Sequence, residues 1–222
     1  MEHKEYEDLG ILLSIKPHLE NDAIIQVLFS KNIISLYAKG IQKGTSKNRL
    51  NLQLLSLINF EIISSKNPNG LSTLKRATLI KAFPYSEHLQ ENFKTIGHFL
   101  KKQTPNNNLE ILISAYKQIL DNIESSPIHC ISYFLLKIAE INGLRPIFHK
   151  CVECNNVDNI IDFEFYKGGF LCSKHSQYSK NIELLRSLYW LSRDLKSFII
   201  ESKEPKVLKI KIMLLEFLKN II

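Results

Sequence analysis

The sequence has 222 residues, enough for one large domain or two small ones, and its 45% hydrophobic and 23% charged residues are typical of a globular protein. No apolar run reaches the roughly 18 residues that a membrane span needs, and the acidic, polar start MEHKEYEDLG is unlike a signal peptide. We therefore expect a cytoplasmic protein with no membrane partner, whose four cysteines serve as metal ligands rather than in disulfides.

The net charge of +7 is concentrated in the N-terminal third of the chain. Residues 23–86 contain nine Lys or Arg and a single acid, Glu61, which makes a local charge of +8, whereas the rest of the chain sums to −1. Such asymmetry is typical of proteins that bind a polyanion, most often nucleic acid. A solvated, lysine-rich surface without a partner would give the same count.

Short apolar segments with partial alternation predict β-strands in the first 80 residues. These strands are residues 10–16, 23–29, 33–38, 50–63 and 71–80. Turn residues separate them, among them Pro17, Asn21-Asp22 and the Gly-containing stretch 40–48. Five closely spaced strands fit a small barrel such as an OB-fold, and a β-sandwich would show the same pattern.

After Pro84 the apolar residues recur at helical spacing. Helices are predicted at residues 87–102, 109–124, 127–141, 181–199 and 205–222. The predicted fold class is therefore α+β. An N-terminal barrel domain, residues 1–82, precedes a helical domain, residues 83–222, which carries a small zinc-finger-like insertion, residues 149–178, between its third and fourth helices.

The insertion contains two closely spaced ligand pairs, Cys151 with Cys154 and Cys172 with His175. The intervening segment IIDFEFYKGGFL predicts a hairpin with Gly168-Gly169 as its turn, which would bring the pairs together. Three thiolates and one imidazole form a closed tetrahedral set of the kind that structural zinc prefers. A degenerate site that is losing its ligands is the alternative.

Four protein ligands leave zinc no open position for a catalytic water. The sequence also lacks the zinc-deaminase, P-loop, dinucleotide-binding, HExxH and GxSxG motifs. We therefore expect no enzymatic activity and a metal that only stabilises the fold. Cys130 lies on an apolar helical segment, where we expect a buried hydrophobic residue rather than a nucleophile.

The densest basic stretch is LYAKGIQKGTSKNRLNLQ, residues 36–53. Its cations and one more from the preceding turn are the predicted DNA contacts: Lys31, Lys39, Lys43, Lys47 and Arg49. Cations in a Gly-containing loop can approach a phosphate chain closely. Tyr37 precedes the loop and could stack on a base, although a strand residue packed in the barrel would leave the same pattern.

Four segments, in their order and spacing, resemble the RecO family of bacterial recombinational-repair mediators. They are GILLSIKPHLENDAIIQVLF, LYAKGIQKGTSKNRLNLQLLS, LSTLKRATLIKAFP, and LLKIAEINGLRPIFHKCVEC with the following GGFLCSKH. The resemblance implies an OB-fold, a helical domain and a zinc-stabilised insertion. His175 stands where the family usually has cysteine.

The resemblance also implies an activity and partners. The family binds single- and double-stranded DNA, anneals complementary strands, and helps load the RecA recombinase onto strands coated by single-strand-binding protein (SSB). Its partners are RecR and the tail of SSB. Two other interpretations stay open from the charge alone: an RNA-binding OB-fold protein of ribosome assembly or translation, and a protein scaffold that does not bind DNA.

Overall fold

The computed structural model describes residues 4–67, 69–104, 108–219 and 221. The chain divides into two compact units, Met1–Leu120 and Asp121–Ile222. The first two helices therefore group with the barrel, and the domain boundary expected after residue 82 stays a prediction. Along the stretches that the structure covers, every helix is too short or too polar to cross a bilayer.

The first unit contains a closed five-stranded β-barrel. Its strands are β1 (Glu5–His18), β2 (Asp22–Phe29), β3 (Ile33–Ala38), β4 (Leu57–Ile63) and β5 (Ser72–Lys81). Their order around the barrel is β1-β2-β3-β5-β4, and β3 runs parallel to β5 while the other neighbours are antiparallel. This is an OB-fold barrel, as predicted.

Alternation along the strands builds the barrel core. In β2 the side chains of Ala23, Ile25 and Val27 are buried, while those between them are partly exposed. Period-2 burial of this kind is expected for strands with one face toward a core. Phe29 and Phe60 meet edge to face inside the barrel with ring centroids 5.6 Å apart.

The prediction of a single strand over residues 50–63 was wrong for its first half. Arg49–Asn51 form one 3-10 turn, and β4 begins only at Leu57. Leu52 packs into the barrel core from this turn, and Leu55 is buried with a φ of +58°. Buried apolar residues in a turn give the same local composition as a strand, so composition does not distinguish the two over residues 50–56.

Glu87–Leu89 form a second 3-10 turn, and six α-helices and one hairpin make up the remaining described elements. They are α1 (Gln90–Lys101), α2 (Leu109–Asn122), α3 (Pro127–Ile141), β6 (Ile160–Glu164), β7 (Gly169–Cys172), α4 (Ile182–Arg193), α5 (Leu195–Glu201) and α6 (Glu204–Lys219). In the second unit α3 is buried around most of its circumference and packs on α6. A helix buried on all sides is the centre of its core.

The helix predicted at 181–199 is two helices, separated at Asp194. Asp194 has an extended backbone (φ −166°), and its carboxylate accepts hydrogen bonds from the backbone N–H and hydroxyl of Ser197, both at 2.8 Å. Aspartate is a favoured helix N-cap, so α4 ends at Arg193 and a separate helix, α5, begins at Leu195.

The β6–β7 hairpin rests on a cluster of aromatic side chains. Phe163 of β6 stacks on Phe148 with ring centroids 5.2 Å apart, and Phe165 stacks on Phe217 of α6 at the same distance. These contacts anchor the insertion to the second unit by burial of large rings.

Candidate metal centre and nucleic-acid interface

The four predicted metal ligands lie together. The sulfur atoms of Cys151, Cys154 and Cys172 and a ring nitrogen of His175 are all within 4.8 Å of one another. Cys154 Sγ is 3.7 Å from Cys172 Sγ, and Cys151 Sγ is 3.6 Å from His175 Nδ1. Tetrahedral zinc would place two sulfurs about 3.7 Å apart and a sulfur and a nitrogen about 3.6 Å apart. The donor set and its spacing therefore fit a metal ion such as zinc.

Two tight turns direct the ligand pairs. The backbone N–H of Asn155 donates to the carbonyl of Cys151 at 2.9 Å, and that of His175 donates to the carbonyl of Cys172 at 2.9 Å. The predicted hairpin brings the turns together, since β7 ends at Cys172. The hairpin's own turn closes with the N–H of Gly168 donating to the carbonyl of Phe165 at 3.0 Å.

The surroundings of the cluster favour the thiolate form that a metal requires at Cys151 and Cys172. At Cys154 the backbone N–H of Asn156 lowers the pKa, but burial and the hydrogen bonds with Cys151 and Cys172 raise it above its usual value. Burial raises the pKa of Cys151, but hydrogen bonds from the backbone N–H groups of Cys172, Cys154 and Glu153 outweigh burial and lower the pKa to about 6. The hydrogen bond from His175 lowers the pKa of Cys172 and raises that of the imidazole. Cys130 lies apart from them, and burial raises its pKa to about 12, so it is an unreactive core residue as predicted.

A buried carboxylate in β6 holds the second ligand pair in place. Asp162 is fully buried and accepts hydrogen bonds from the Ser176 hydroxyl at 2.6 Å and from the Lys180 ammonium. Burial raises the pKa of Asp162, but these bonds and the N–H of Phe163 lower it below its usual value. Ser176 directly follows His175, so the hydrogen bond to Asp162 fixes the chain next to the second ligand pair. Sequence reasoning missed it, since a lone aspartate in a strand carries no signal of its partners.

The basic loop between β3 and β4 consists of successive tight turns. Backbone hydrogen bonds run from Lys43 to Gly40, from Ser46 to Lys43 and from Arg49 to Ser46, at 3.2, 3.0 and 3.4 Å. All four predicted cations of this loop are exposed: Lys39, Lys43, Lys47 and Arg49. The structure thus places them on one compact, solvent-facing loop.

Asp22 anchors the start of this loop. Its carboxylate accepts hydrogen bonds from the N–H of Gly40 at 2.6 Å and from the hydroxyl of Tyr37. The hydrogen bond from Tyr37 is the largest cause of the lowered pKa of Asp22. Tyr37 lies on the outer face of β3, where its ring meets His18 edge to face at 6.0 Å, so it is not packed inside the barrel.

Two asparagines fix the end of the loop on β5. Asn48 accepts from the N–H of Ala77 at 2.9 Å and donates to the carbonyl of Lys75 at 3.3 Å. Asn51 accepts from the N–H of Leu79 at 3.4 Å. The side chains satisfy backbone groups of β5 that no neighbouring strand reaches, because β3 pairs with β5 only at Ser72 and Thr73.

This attachment brings two further cations, Lys75 and Arg76, beside the loop. A register shift between Glu61 and Ile62 lets consecutive residues of β5 both face solvent. Lys75 pairs with Glu5 at 2.6 Å and Arg76 with Glu61 at 3.8 Å. A cleft of about 680 Å³ is lined by these residues and by the loop end: Lys47, Asn48, Asn51, Glu61, Lys75, Arg76, Ala77 and Thr78. In the sequence STLKRATLIK, the adjacent cations Lys75 and Arg76 interrupt the alternation of apolar and polar residues. This interruption was the signal from which their common exposure could have been predicted.

Lys31 is not part of this group. It lies in the turn between β2 and β3, at the opposite end of β3 from Lys39. Six residues of extended strand correspond to about 20 Å. The charge of Lys31 acts on Asp8: burial raises the pKa of this carboxyl above its usual value, and the N–H of Leu9 and the charge of Lys31 partly offset the rise.

Comparison with known proteins gives two family-model matches along the chain. A family model described as "Recombination protein O N terminal" matches residues 1–83, the barrel. A second, "Recombination protein O C terminal", matches residues 96–187, which include the metal cluster. The two matches together cover most of the chain.

Three curated relatives carry the name DNA repair protein RecO. The protein of Mycoplasma mycoides subsp. mycoides SC is 32% identical over 161 residues, 68% of this chain and 64% of its own length. That of Mycoplasma capricolum subsp. capricolum is 32% identical over 136 residues, 60% and 46% of the two chains. That of Acetivibrio thermocellus is 27% identical over 178 residues, 74% and 68%.

The chain thus spans about half to two thirds of the length of the relatives it matches. Both family models are of one protein, Recombination protein O, and they match the barrel and the metal module in the order in which the structure has them. On these matches the chain belongs to the RecO family.

Proposed function

We propose that this protein is a DNA repair factor of recombinational repair that acts by binding and not by covalent chemistry. It binds single- and double-stranded DNA, anneals complementary strands and assists RecA loading on SSB-coated DNA. The names of its curated relatives support the repair role. The observation that carries the DNA-binding role is the exposed basic loop held against the cations of β5.

The basic residues account for annealing by simple electrostatics. DNA strands repel one another through their phosphates, and a surface of fixed cations neutralises part of that charge. Two strands held on such a surface are at a high effective concentration, so base pairing follows spontaneously. The proposed contacts are Lys39, Lys43, Lys47 and Arg49, with Lys31 as a separate contact at the other end of β3.

We extend the proposal to the metal and the partners. The resident ion is zinc, held by Cys151, Cys154, Cys172 and His175 in a structural role, since these residues provide four ligands at tetrahedral spacing. RecR and SSB are the protein partners, as the family resemblance implies, and the protein acts in the cytoplasm.

Annealing of complementary oligonucleotides coated with SSB tests the proposal. We expect the protein to accelerate annealing, and substitution of alanine for all four loop cations to abolish most of the acceleration. The slope of log K against log salt on single strands should become less negative by about 3, since four phosphate contacts are lost. Unchanged affinity and slope in the quadruple variant would refute the assignment. Tighter binding to structured RNA than to DNA would refute the DNA-repair role.

A further inference from the structure

One acid lies among the cations of the cleft between the basic loop and β5. Glu61 of β4 is the single acid within residues 23–86, and it lines this cleft of about 680 Å³ together with Lys47, Lys75 and Arg76. A surface that held only phosphates would lose affinity through a carboxylate, because its negative charge repels the phosphate chain. The place of Glu61 therefore requires an explanation other than phosphate binding.

The strand register sets Glu61 on the outer face of the barrel. Glu61 lies opposite Arg76, and Asn59, two residues earlier in β4, lies opposite Thr78 of β5. Phe60, between Asn59 and Glu61, is fully buried, so its two neighbours point away from the core. Glu61 and Thr78 thus line the cleft from the barrel side, and the end of the basic loop lines it from the other.

The carboxylate of Glu61 keeps most of its capacity to accept hydrogen bonds. Among the residues that the structure describes, its one ion pair is with Arg76 at 3.8 Å, and no N–H or O–H group donates to it. An ionised carboxylate offers about four acceptor sites. The side chain is only 26% exposed, so it forms part of the cleft wall rather than extending into open solvent. A ligand with N–H donors would complete its hydrogen bonding.

The cations around Glu61 stay available to phosphates. Arg76 is 66% exposed, and its separation of 3.8 Å from Glu61 is long for a charge-assisted hydrogen bond. Lys75 pairs with Glu5 at 2.6 Å, but both side chains are about half exposed, and exposed pairs of this kind are weak. Three cations and one carboxylate give the cleft lining a positive net charge.

The size and lining of the cleft suit unpaired nucleotides. Its volume of about 680 Å³ is in the range of small-ligand sites, so a duplex does not fit inside it. The described residues that line it include no aromatic side chain, so a base there is not held by stacking. The remaining means of holding an unpaired base is through hydrogen bonds at its edge.

We propose that Glu61 is a specificity-determining residue of this cleft, which takes unpaired nucleotides of single-stranded DNA and prefers cytosine to thymine. The inference rests on the proposed DNA binding and names the base that this part of the interface selects. Phosphates lie on Lys75 and Arg76, and the exocyclic amino group of cytosine donates to the Glu61 carboxylate. Glu and Asp are the side chains that accept from this amino group in direct base readout. Thymine has a carbonyl oxygen at the same ring position, which a carboxylate repels.

Two oligonucleotides of equal length, one all deoxycytidine and one all thymidine, are the probes. They carry the same number of phosphates and both are pyrimidine strands, so the electrostatic contribution to affinity is the same for both. Each is titrated with the protein at neutral pH and followed by fluorescence anisotropy. We expect the unaltered chain to bind the deoxycytidine strand at least about fivefold more tightly.

Glu61→Gln should bring the ratio of the two affinities close to one. The glutamine amide accepts from the amino group of cytosine and also donates to the carbonyl of thymine. Glu7→Gln is the matched control, since Glu7 lies opposite Glu61 on β1, is exposed and is outside the cleft lining. Loss of this charge should raise both affinities by the same factor and leave the ratio unchanged. Both substitutions keep the size of a side chain on the outer face, so the variants keep the fold.

Three results would overturn the inference and leave the proposed DNA binding intact. One is equal affinity of the unaltered chain for the two strands. Another is a preference for deoxycytidine that survives Glu61→Gln, which would place the discrimination elsewhere. The third is a preference that Glu7→Gln also abolishes, which would make it an effect of charge and not of contact. Failure to bind either strand would instead refute the proposed function, and this inference with it.

Discussion

The side-chain oxygen of Asn48 accepts a hydrogen bond from the backbone N–H of Ala77 at 2.9 Å, where a neighbouring β-strand would otherwise place its carbonyl. The same amide donates to the carbonyl of Lys75 at 3.3 Å. A single asparagine thus substitutes for a strand at the edge of β5 and fixes the basic loop there. The position of the proposed DNA-binding cations depends on this attachment.

Asn48→Ala should weaken DNA binding without any change in charge. The variant loses two hydrogen bonds and leaves backbone groups of β5 unpaired, which we expect to cost roughly 1–3 kcal/mol in the free energy of unfolding. Disordering of the loop should lower affinity for single-stranded DNA by roughly three- to tenfold. Urea denaturation and fluorescence anisotropy measure the two effects. Asn32→Ala, in the exposed turn before β3, is the control; an equal loss there would contradict the role of Asn48.

Lys75 and Arg76 should contribute to the salt dependence of DNA binding. If each neutralises one phosphate, the double alanine variant should make the slope of log K against log salt on single strands less negative by about 1.4. Anisotropy titrations at several salt concentrations measure the slope. The same substitutions at Lys196 and Lys209, exposed cations of the second unit, should leave it unchanged. An unchanged slope in the first variant would limit the interface to the loop.

From the four-ligand cluster we expect the purified protein to contain one equivalent of zinc per chain. Cys154→Ser should remove most of the bound zinc and destabilise the module, because metal binding supplies folding free energy to such small hairpins. His175→Cys should retain it, since four thiolates are an equally good set of ligands. Elemental analysis with a chelator-competition titration provides the measurement. Cys130→Ser is the cysteine control, and zinc loss from that variant instead would contradict the proposed ligand set.

Asp162 should stabilise the second unit in a way that depends on pH. The pKa of Asp162 in the folded protein lies below its usual value of 3.8. The ionised carboxylate therefore stabilises the fold fully above about pH 4, and this stabilisation is lost as the pH falls through the pKa of the folded state. Asp162→Asn should therefore reduce stability at neutral pH, and the difference from the unaltered chain should narrow in strong acid. Denaturation at a series of pH values measures this. Asp158→Asn, an exposed neighbour, is the control, and a constant difference at every pH would contradict the assignment.

Gly168 and Gly169 should respond differently to alanine. A Cβ on Gly169 would lie 2.2 Å from the carbonyl oxygen of Ile147, and its φ is +144°, so Gly169→Ala should cost about 3 kcal/mol or more. Gly168 has a φ of +85° and open space around it, so Gly168→Ala should cost only about 1–2 kcal/mol. Thermal denaturation of the two variants compares them. Equal losses would mean that backbone strain, and not the close approach to Ile147, sets the cost.

The local sequence pattern was enough to predict those elements that depend only on residues close together in the chain. The strands of the barrel, the hairpin at the metal module and the four ligands follow from alternation, turn residues and Cys and His spacing, and the structure has them together. The pattern failed at residues 50–56 and at Asp194. In the first case turn residues are buried, and in the second an N-cap lies inside a continuous helical period.

Composition and spacing alone determined that the chain has a basic N-terminal third, an OB-like run of strands and a four-ligand metal motif, because each of these is a property of neighbours in sequence. Only the tertiary structure decided that Lys75 and Arg76 lie beside the loop while Lys31 lies at the far end of β3. It also decided that Asp162 supports the second ligand pair and that Glu61 lines the cleft beside the loop. The physical reason is that such contacts join residues from separate elements, whose distance depends on strand register and packing rather than on separation along the chain.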